Sequence, residues 1–299
     1  MSTGRPEGFA VAGEVAVVVP VHDNLVTLDE LHAGLLASLD EIGRPWRILY
    51  VDDASEDGSW SWIAAAAADD PRVHGVRLAA NVGQTRAICV GFELVEDADA
   101  VATIDADLDF DPADLVRIVG PVLDGVDVAA GVRFDRTDHP VWRLAPSLAF
   151  NLGLRLVLGY RLGDAGCGYF AMSRRVVRAI PGAGPRRLAI RPLLSDLAGP
   201  TVQVLVRYRS RPRQGISARR RGRIAAEVFA VHPLTAQVTG IATALAVLVA
   251  WRRRSPAVGA LATLAAAATL GSWRLGRRLA TTAEGPLGTV AERTEPVDP

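Results

Sequence analysis

Three aspartates at alternate positions form the clearest candidate for chemistry in this sequence. Asp105, Asp107 and Asp109 follow an apolar run and precede Pro112, a residue type that often opens a helix. Because alternate residues of an extended segment point the same way, we expect these three carboxylates to converge. Close carboxylates repel unless a cation neutralises them, and oxygen ligands favour Mg²⁺ or Mn²⁺ over zinc. The pattern predicts a divalent metal site; the alternative is an acidic loop with a helix cap at Asp111.

A second acidic pair, Asp52 and Asp53, stands at the end of another apolar run and leads into residues 54–59. An aspartate at a strand end can bond a ribose hydroxyl or a base. Asp, Ser and Gly also make ordinary turns and helix caps, so the pair alone is a weak indication. The pattern Gly-x-Gly-x-x-Gly follows none of the predicted strands, which disfavours a nicotinamide or flavin site.

Short apolar runs that alternate with longer helical patterns predict the elements that position these residues. The predicted strands are 15–20, 46–51, 73–78, 100–104, 126–131 and 202–206, and the predicted helices are 25–42, 58–68, 83–95 and 112–123. This alternation predicts an α/β fold with a mostly parallel sheet covered by helices on both faces. Ligands of such sheets bind beyond the carboxyl ends of the strands, where both acidic motifs lie.

Five motifs follow one another in an order that is more specific than any one of them. They are Pro20-Val21-His22-Asp23-Asn24, residues 51–59, Asn81-Val82-Gly83-Gln84, Asp105-Ala106-Asp107 and residues 163–169. The series resembles the family-2 inverting glycosyltransferases of the GT-A fold. Within them it is most similar to the dolichol- and polyprenyl-phosphate sugar transferases, over about residues 15–217. The resemblance implies a nucleotide-sugar donor, a polyprenyl-phosphate acceptor and a hexosyltransferase activity.

On the donor side, the resemblance assigns residues to the nucleoside and to the metal. The residues implied for the nucleoside are Pro20, His22, Asn24, Asp53 and Asp105. Those implied for Mg²⁺ or Mn²⁺ are Asp105, Asp107 and Asp109, the last standing where the branch usually has glutamine. A metal ion there could bridge the diphosphate and stabilise it as a leaving group. His22 could stack on the base, although a lone histidine more often has a structural or solvated role.

On the acceptor side, the resemblance implies that Arg133, Arg143 and Ser147 grip the phosphate of the lipid. Arginine forks and a hydroxyl are apt partners for that group. A solvated basic face is the alternative for the two arginines. A lipid phosphate is already ionised near neutral pH, whereas a sugar hydroxyl would need a carboxylate base, for which Asp164 is the candidate.

Several positions depart from the pattern of the branch. Asn24 replaces a glutamate and Phe170 an arginine, while Pro212 and Ala218 stand where arginine and lysine are usual. These departures leave two alternatives open beside lipid-phosphate transfer. One is a transferase for a saccharide or another hydroxyl acceptor, and the other is an inactive scaffold that only binds a nucleotide sugar.

The charge distribution excludes one class of partner and favours another. The 33 acidic and 33 basic residues cancel, so no global basic field argues for nucleic acid. All 33 of the lysine and arginine positions are arginines, and the planar guanidinium of arginine suits phosphate. The two cysteines, Cys89 and Cys167, lack metal-ligand spacing and are expected to be reduced thiols.

Two stretches without charged residues, 234–251 and 255–273, predict a C-terminal two-helix membrane hairpin. A buried soluble hairpin is the alternative, because both stretches are rich in alanine. Arginines at 219–223 and 274–278 outnumber the three between the stretches, which predicts that both ends face the cytoplasm. The first 13 residues do not have the pattern of a cleavable signal peptide. The expectation is a multi-pass protein of the cell membrane with a cytoplasmic catalytic domain.

The sequence is therefore divided into five predicted segments. They are an N-terminal tail (1–13), a GT-A glycosyltransferase domain (14–217), a basic juxtamembrane segment (218–233), two transmembrane helices (234–273) and a cytoplasmic tail (274–299). The polar composition beyond residue 281 predicts disorder there.

Overall fold

The computed structural model describes residues 13–133, 164, 167–209 and 288–294 of the chain. Eight strands within these residues form one sheet. They are β1 (Val15–Val21), β2 (Trp46–Asp52), β3 (Val73–Leu78), β4 (Ala100–Thr103), β5 (Val128–Arg133), β6 (Phe170–Ser173), β7 (Thr201–Val206) and β8 (Val290–Arg293). Their order across the sheet is β7-β5-β6-β4-β1-β2-β3-β8.

Most of the pairings are parallel, as the sequence predicts. β1 pairs in parallel with β2 and β4, β2 with β3, and β5 with β7. The antiparallel strands are β6, which lies between β4 and β5, and β8, which lies beside β3. The predicted α/β architecture with a mostly parallel sheet is confirmed.

Helices cover both faces of this sheet. They are α1 (Leu25–Ile42), α2 (Ser59–Asp69), α3 (Gln84–Leu94), α4 (Leu115–Leu123), α5 (Arg174–Ala179) and α6 (Ile190–Leu197). Alternate residues of β1 face opposite cores: Val17 and Val19 belong to the core that includes residues of α1, α2 and α4, and Ala16 and Val18 to the core that includes residues of α3. Gly91 lets α3 pack close to the sheet, because a Cβ there would overlap Val18.

The observed elements differ from the predicted ones in three informative places. The predicted helix 112–123 begins as a 3₁₀ turn at Pro112–Asp114, which Asp111 caps by accepting a hydrogen bond from Ala113 N at 3.0 Å. β6, α5 and α6 were not predicted, because they are short, with four, six and eight residues. The predicted disorder beyond residue 281 was wrong for 288–294, which contain β8.

Among the described residues, none of the helices combines the length and apolar character that a membrane crossing requires. The segments 218–233 and 234–273 lie outside the described residues, so the predicted juxtamembrane segment and hairpin stay predictions.

A buried charge cluster lies at the amino ends of the central strands. Arg47 Nη1 lies 3.3 Å from Glu14 Oε2, and its Nη2 bonds Asp97 Oδ1 at 2.5 Å. The side chain of Glu14 is only 8% exposed. Burial raises the pKa of Glu14 to about 7, and the negative charges of Asp97 and Asp99 add to this rise, although Arg47 opposes it.

This cluster predicts a pH-dependent stability. Between the ordinary pKa of 4.5 and about 7 the native state holds a proton on Glu14 that the unfolded state has released. The free energy of unfolding should therefore fall as pH rises through this window, by at most about 1.4 kcal/mol per pH unit. Chemical denaturation at pH 5 and pH 8 should show that Glu14→Gln loses this part of the pH dependence. The exposed Glu41→Gln is the control, and equal pH dependence of the two variants would contradict the expectation.

Candidate functional site

A cavity of about 460 Å³ opens beyond the carboxyl ends of β1, β2 and β4. Six residues selected from the sequence line it, namely Pro20, His22, Asn24, Asp53, Asp105 and Asp107. It is also lined by Val21, Asp23, Asn81, Gly83, Gln84 and Ala106. The structure thus brings residues from four separate motifs to one place, as expected for a parallel sheet.

The loop after β1 is fixed to the loop after β2 by hydrogen bonds. Asp23 N donates to Ser55 Oγ at 3.0 Å, and Asn24 N donates to Ser59 Oγ at 3.1 Å. The side-chain oxygen of Asn24 accepts from His22 N at 3.0 Å, so it shapes its own loop. The nucleoside contact predicted for Asn24 stays a prediction.

His22 forms one wall of the cavity together with a residue that was not selected from the sequence. Its ring is 45% exposed, and the side-chain amide of Asn81 lies 3.0 Å from its Nε2. The motif at 81–84 was noted for its order along the chain, but the contact across 59 residues could not be predicted from it. An exposed, oriented ring is compatible with stacking on a base.

Asp53 is buried and holds the loop that leads into α3. Its two oxygens accept hydrogen bonds from Val82 N at 2.7 Å and Gly83 N at 2.8 Å. The structure therefore gives Asp53 a loop-positioning role at the cavity wall. The nucleoside contact implied for it stays a prediction.

The carboxylate motif after β4 does not continue as the extended segment that the sequence suggested. β4 ends at Thr103, and the backbone then turns, with Leu108 in the left-handed region at φ 57°. Asp105 and Asp107 line the cavity, whereas the hydroxyl of Tyr208 lies 3.4 Å from Asp109 Oδ2. Within the described parts of the chain, no group of three or more His, Cys, Asp or Glu side chains is arranged to hold a metal. The three-ligand metal site stays a prediction.

Three residues from other parts of the chain contact the carboxylate motif at residues 105–109. Gln84 Nε2 donates to Asp105 Oδ1 at 2.6 Å, and Thr27 Oγ1 donates to Ala106 O at 2.6 Å. Gly168 lies so close that a Cβ there would be 2.6 Å from Asp105 Oδ2. The roles of Gln84, Thr27 and Gly168 depend on long-range contacts, which is why sequence reasoning did not select them.

The two described acceptor-side candidates, Arg133 and Asp164, bind each other. Arg133 Nε and Nη2 donate to the two oxygens of Asp164 at 2.7 and 2.8 Å, and both side chains are largely buried. Burial works against the charged form of Arg133, but hydrogen bonding and charge from Asp164 outweigh it and raise the pKa of Arg133. The guanidinium of Arg133 thus engages both carboxylate oxygens of Asp164.

Arg191 contacts the backbone at both residues 131 and 164. Its Nη2 donates to Gly131 O at 3.0 Å and to Asp164 O at 2.6 Å. The two arginines thus tie the end of β5 to Asp164. The other acceptor-side candidates, Arg143 and Ser147, lie outside the described residues, as do the departures at Pro212 and Ala218. Phe170, the departure that is described, is a core residue of β6 packed against Phe92.

Backbone strain is concentrated at this edge of the sheet. Among the described residues, the non-glycine positions with positive φ are Asp23, Ala54 and Leu108, at 54°, 58° and 57°. They lie in the loops that follow β1, β2 and β4. Such conformations are costly and persist where surrounding contacts hold them, which is common at ligand-binding sites.

Curated proteins similar to this chain include undecaprenyl-phosphate sugar transferases. The chain is 34% identical over 198 residues to the undecaprenyl-phosphate 4-deoxy-4-formamido-L-arabinose transferase of Shewanella sediminis (strain HAW-EB3), covering 66% of this chain and 59% of the relative. It is 36% identical over 199 residues to the protein of the same name from Pectobacterium carotovorum subsp. carotovorum (strain PC1), covering 66% and 60%. The chain thus spans about three fifths of the length of these relatives.

Solved structures show the same fold at low sequence identity. Glucosyl-3-phosphoglycerate synthase from Mycobacterium tuberculosis superposes with a TM-score of 0.53 and 19% identity, covering 73% of this chain and 78% of that one. Mannosyl-3-phosphoglycerate synthase from Rubrobacter xylanophilus gives 0.51 and 21%, covering 75% and 73%. These likenesses support the predicted GT-A fold. The family model for glycosyl transferase family 2 matches residues 16–180, more than half of the chain, and the chain therefore belongs to that family.

Proposed function

We propose that this protein transfers a sugar from a nucleotide-sugar donor to a polyprenyl-phosphate lipid, with inversion at the anomeric carbon and with Mg²⁺ or Mn²⁺. The observation that carries the proposal is the cavity in which the loop of His22 and Asp23 meets Asp105 and Asp107. Curated relatives are named undecaprenyl-phosphate sugar transferases, which supports the lipid acceptor. Structures of the mycobacterial synthase are described with Mn²⁺ and UDP-glucose, which supports the metal and the donor class.

The residues at the cavity fit a divalent cation. Asp105 and Asp107 supply oxygen donors, which Mg²⁺ and Mn²⁺ prefer, and diphosphate oxygens of a donor would supply further ligands. A cation bound there would neutralise the negative charge that develops on the leaving nucleoside diphosphate. Gln84 orients Asp105 for this role, and the hydrogen bond from Asp109 N to Asp107 Oδ1 at 2.9 Å orients Asp107.

The proposed acceptor chemistry takes account of the ion pair between Arg133 and Asp164. An oxygen of a lipid phosphate attacks the anomeric carbon from the face opposite the nucleotide; the new C–O bond forms as the nucleoside diphosphate leaves with the electron pair. The attacking oxygen is already ionised near neutral pH, so the chain has to position it rather than deprotonate it. Both oxygens of Asp164 already accept hydrogen bonds from Arg133, and a reaction of this kind does not require Asp164 to accept a proton.

Attachment to the membrane is a separate part of the proposal. The charge-free stretches 234–251 and 255–273 support a multi-pass anchor that keeps a cytoplasmic catalytic domain beside its lipid acceptor. Retention of the full chain in membranes after alkaline extraction is the expected result, and release into the supernatant would overturn this part.

The test of the transfer reaction uses a panel of radiolabelled nucleotide sugars, polyprenyl phosphate, and Mn²⁺, Mg²⁺ or EDTA. We expect metal-dependent, chloroform-extractable label from one donor. A parallel set of reactions with soluble sugars as acceptors distinguishes the alternative hydroxyl-acceptor transferase. A donor that binds without hydrolysis or transfer to any acceptor would instead identify a binding-only scaffold. The departures from the family pattern at Asn24 and Phe170 are the reason for testing this alternative.

A further inference from the structure

The C-terminal strand β8 reaches the donor side of the domain through one glutamate. Val290–Arg293 pairs antiparallel with β3, and Thr294 N donates to Gly75 O at 3.0 Å. From this strand Glu292 accepts a hydrogen bond from Trp60 Nε1 at 2.7 Å and lies 3.5 Å from Arg77 Nη1. A segment far along the chain thus contacts a charged residue of β3, next to the loop after β2.

Arg77 connects Glu292 to that loop. Its Nε lies 3.2 Å from Asp52 Oδ2, and its Nη2 donates to Ser55 O at 3.1 Å. The Asp52 side chain is 0% exposed, and this burial raises its pKa, while hydrogen bonds from Ser55 and the charge of Arg77 oppose the rise. Asp52 in turn accepts a hydrogen bond from Ser55 N at 3.2 Å. Arg77 therefore holds the Asp52–Ser55 turn at two points.

The turn that Arg77 holds is bonded directly to the cavity wall. Ser55 Oγ accepts from Asp23 N at 3.0 Å, and Asp23 Oδ1 accepts from Glu56 N at 2.9 Å. Asp23 lines the cavity, and both Asp23 and Ala54 have left-handed backbones that need contacts to hold them. The contacts run without a break from Glu292 through Arg77 and Ser55 to Asp23.

We propose that Arg77 is a positioning residue of the donor site, and that β8 takes part in donor binding by orienting Arg77 through Glu292. This inference rests on the proposed function, since it takes the cavity to be where the nucleotide of the donor binds. Arg77 does not line the cavity and would act through Ser55 and Asp23. Its loss should relax the two left-handed loops and weaken donor binding, while the acceptor side, tied by Arg133 and Arg191, keeps its geometry.

The test uses the purified full-length chain and calorimetric titration with UDP, GDP, CDP and dTDP, each with MnCl₂. The nucleotide that binds the wild type is then titrated into Arg77→Met, Glu292→Gln and the control Arg72→Met. Arg72 is an ion-paired arginine that directly precedes β3, at the opposite end of that strand from Arg77. We expect Kd to rise about tenfold or more in Arg77→Met, because charge-assisted hydrogen bonds are lost, and severalfold in Glu292→Gln. Arg72→Met should bind like the wild type.

Steady-state kinetics and melting temperatures separate positioning from a merely structural role. The donor KM should rise in both test variants while the acceptor KM stays unchanged, and Arg77→Lys should recover part of the loss. A lower melting temperature with an unchanged Kd would overturn the inference and leave the proposed function standing. If Arg77→Met does not fold, the half-exposed Glu292→Gln decides alone. Failure of the wild type to bind any of the four nucleotides would overturn the proposed function and the inference together.

Discussion

Asp107→Asn is expected to reduce sugar transfer about a thousandfold, because it removes a carboxylate charge at the cavity that we propose binds the diphosphate of the donor. The substitution keeps the size of the side chain and an oxygen that can accept the 2.9 Å hydrogen bond from Asp109 N. The fold of the loop should therefore be retained, and the loss should come from charge alone. Initial rates of transfer at several Mn²⁺ concentrations measure the effect, with a higher Mn²⁺ requirement as its signature.

The control for this substitution is Asp124→Asn, which changes an exposed aspartate at the end of α4. It should transfer sugar at the wild-type rate, and both variants should melt within a few degrees of the wild type. Wild-type turnover by Asp107→Asn would show that Asp107 is not part of the metal and donor site. Loss of melting temperature in step with activity would instead assign Asp107 a structural role.

Gly168→Ala should reduce transfer about a hundredfold, the scale of a misplacement by about 1 Å at a reacting centre. The added methyl group would stand 2.6 Å from Asp105 Oδ2 and 2.7 Å from its Oδ1, closer than real contacts allow. Because the obstacle is the end of a side chain, Asp105 should swing away and lose the hydrogen bond from Gln84 Nε2. Gly168 has no positive φ, so alanine fits its backbone.

The matched control is Gly120→Ala in α4, where an added Cβ would meet nothing within 4 Å. Alanine favours helix over glycine by about 0.5–1 kcal/mol, so this variant should be as stable as the wild type or more so, with full activity. Nucleotide affinity and transfer rate are measured for both variants. Full activity of Gly168→Ala would show that the position of Asp105 does not limit the reaction.

The elements that sequence reasoning predicted are those whose pattern is local. The buried runs of β1, β2 and β4 and the spacing of Leu28, Leu31, Leu35 and Leu39 in α1 follow the patterns of strand and helix. β6 and β8 have four residues each and become strands only by pairing with distant segments. Their sequences contain too few residues to show a period, and the polar β8 resembles a disordered tail.

The site was predictable to a similar extent. The order of the motifs selected His22, Asn24, Asp53, Asp105 and Asp107, which meet at one cavity. The turn at Leu108 separates Asp109 from them, and a left-handed leucine has no signature in the sequence. Arg133 and Asp164 were both selected, but their mutual bond was not, because it joins residues 31 positions apart.

The pairing of β8 with β3 also limits how often the chain between β7 and β8 can cross a membrane: the number of crossings must be even. β7 and β8 are the two edges of one sheet, and residues 210–287 join them. A single sheet lies entirely on one side of a lipid barrier, so residues 209 and 288 lie on that side together. Any passage of the intervening chain through the bilayer must then be followed by a return. For the predicted hairpin, this means that the charge-free stretches 234–251 and 255–273 would have to cross together, because a single crossing would separate β8 from Arg77.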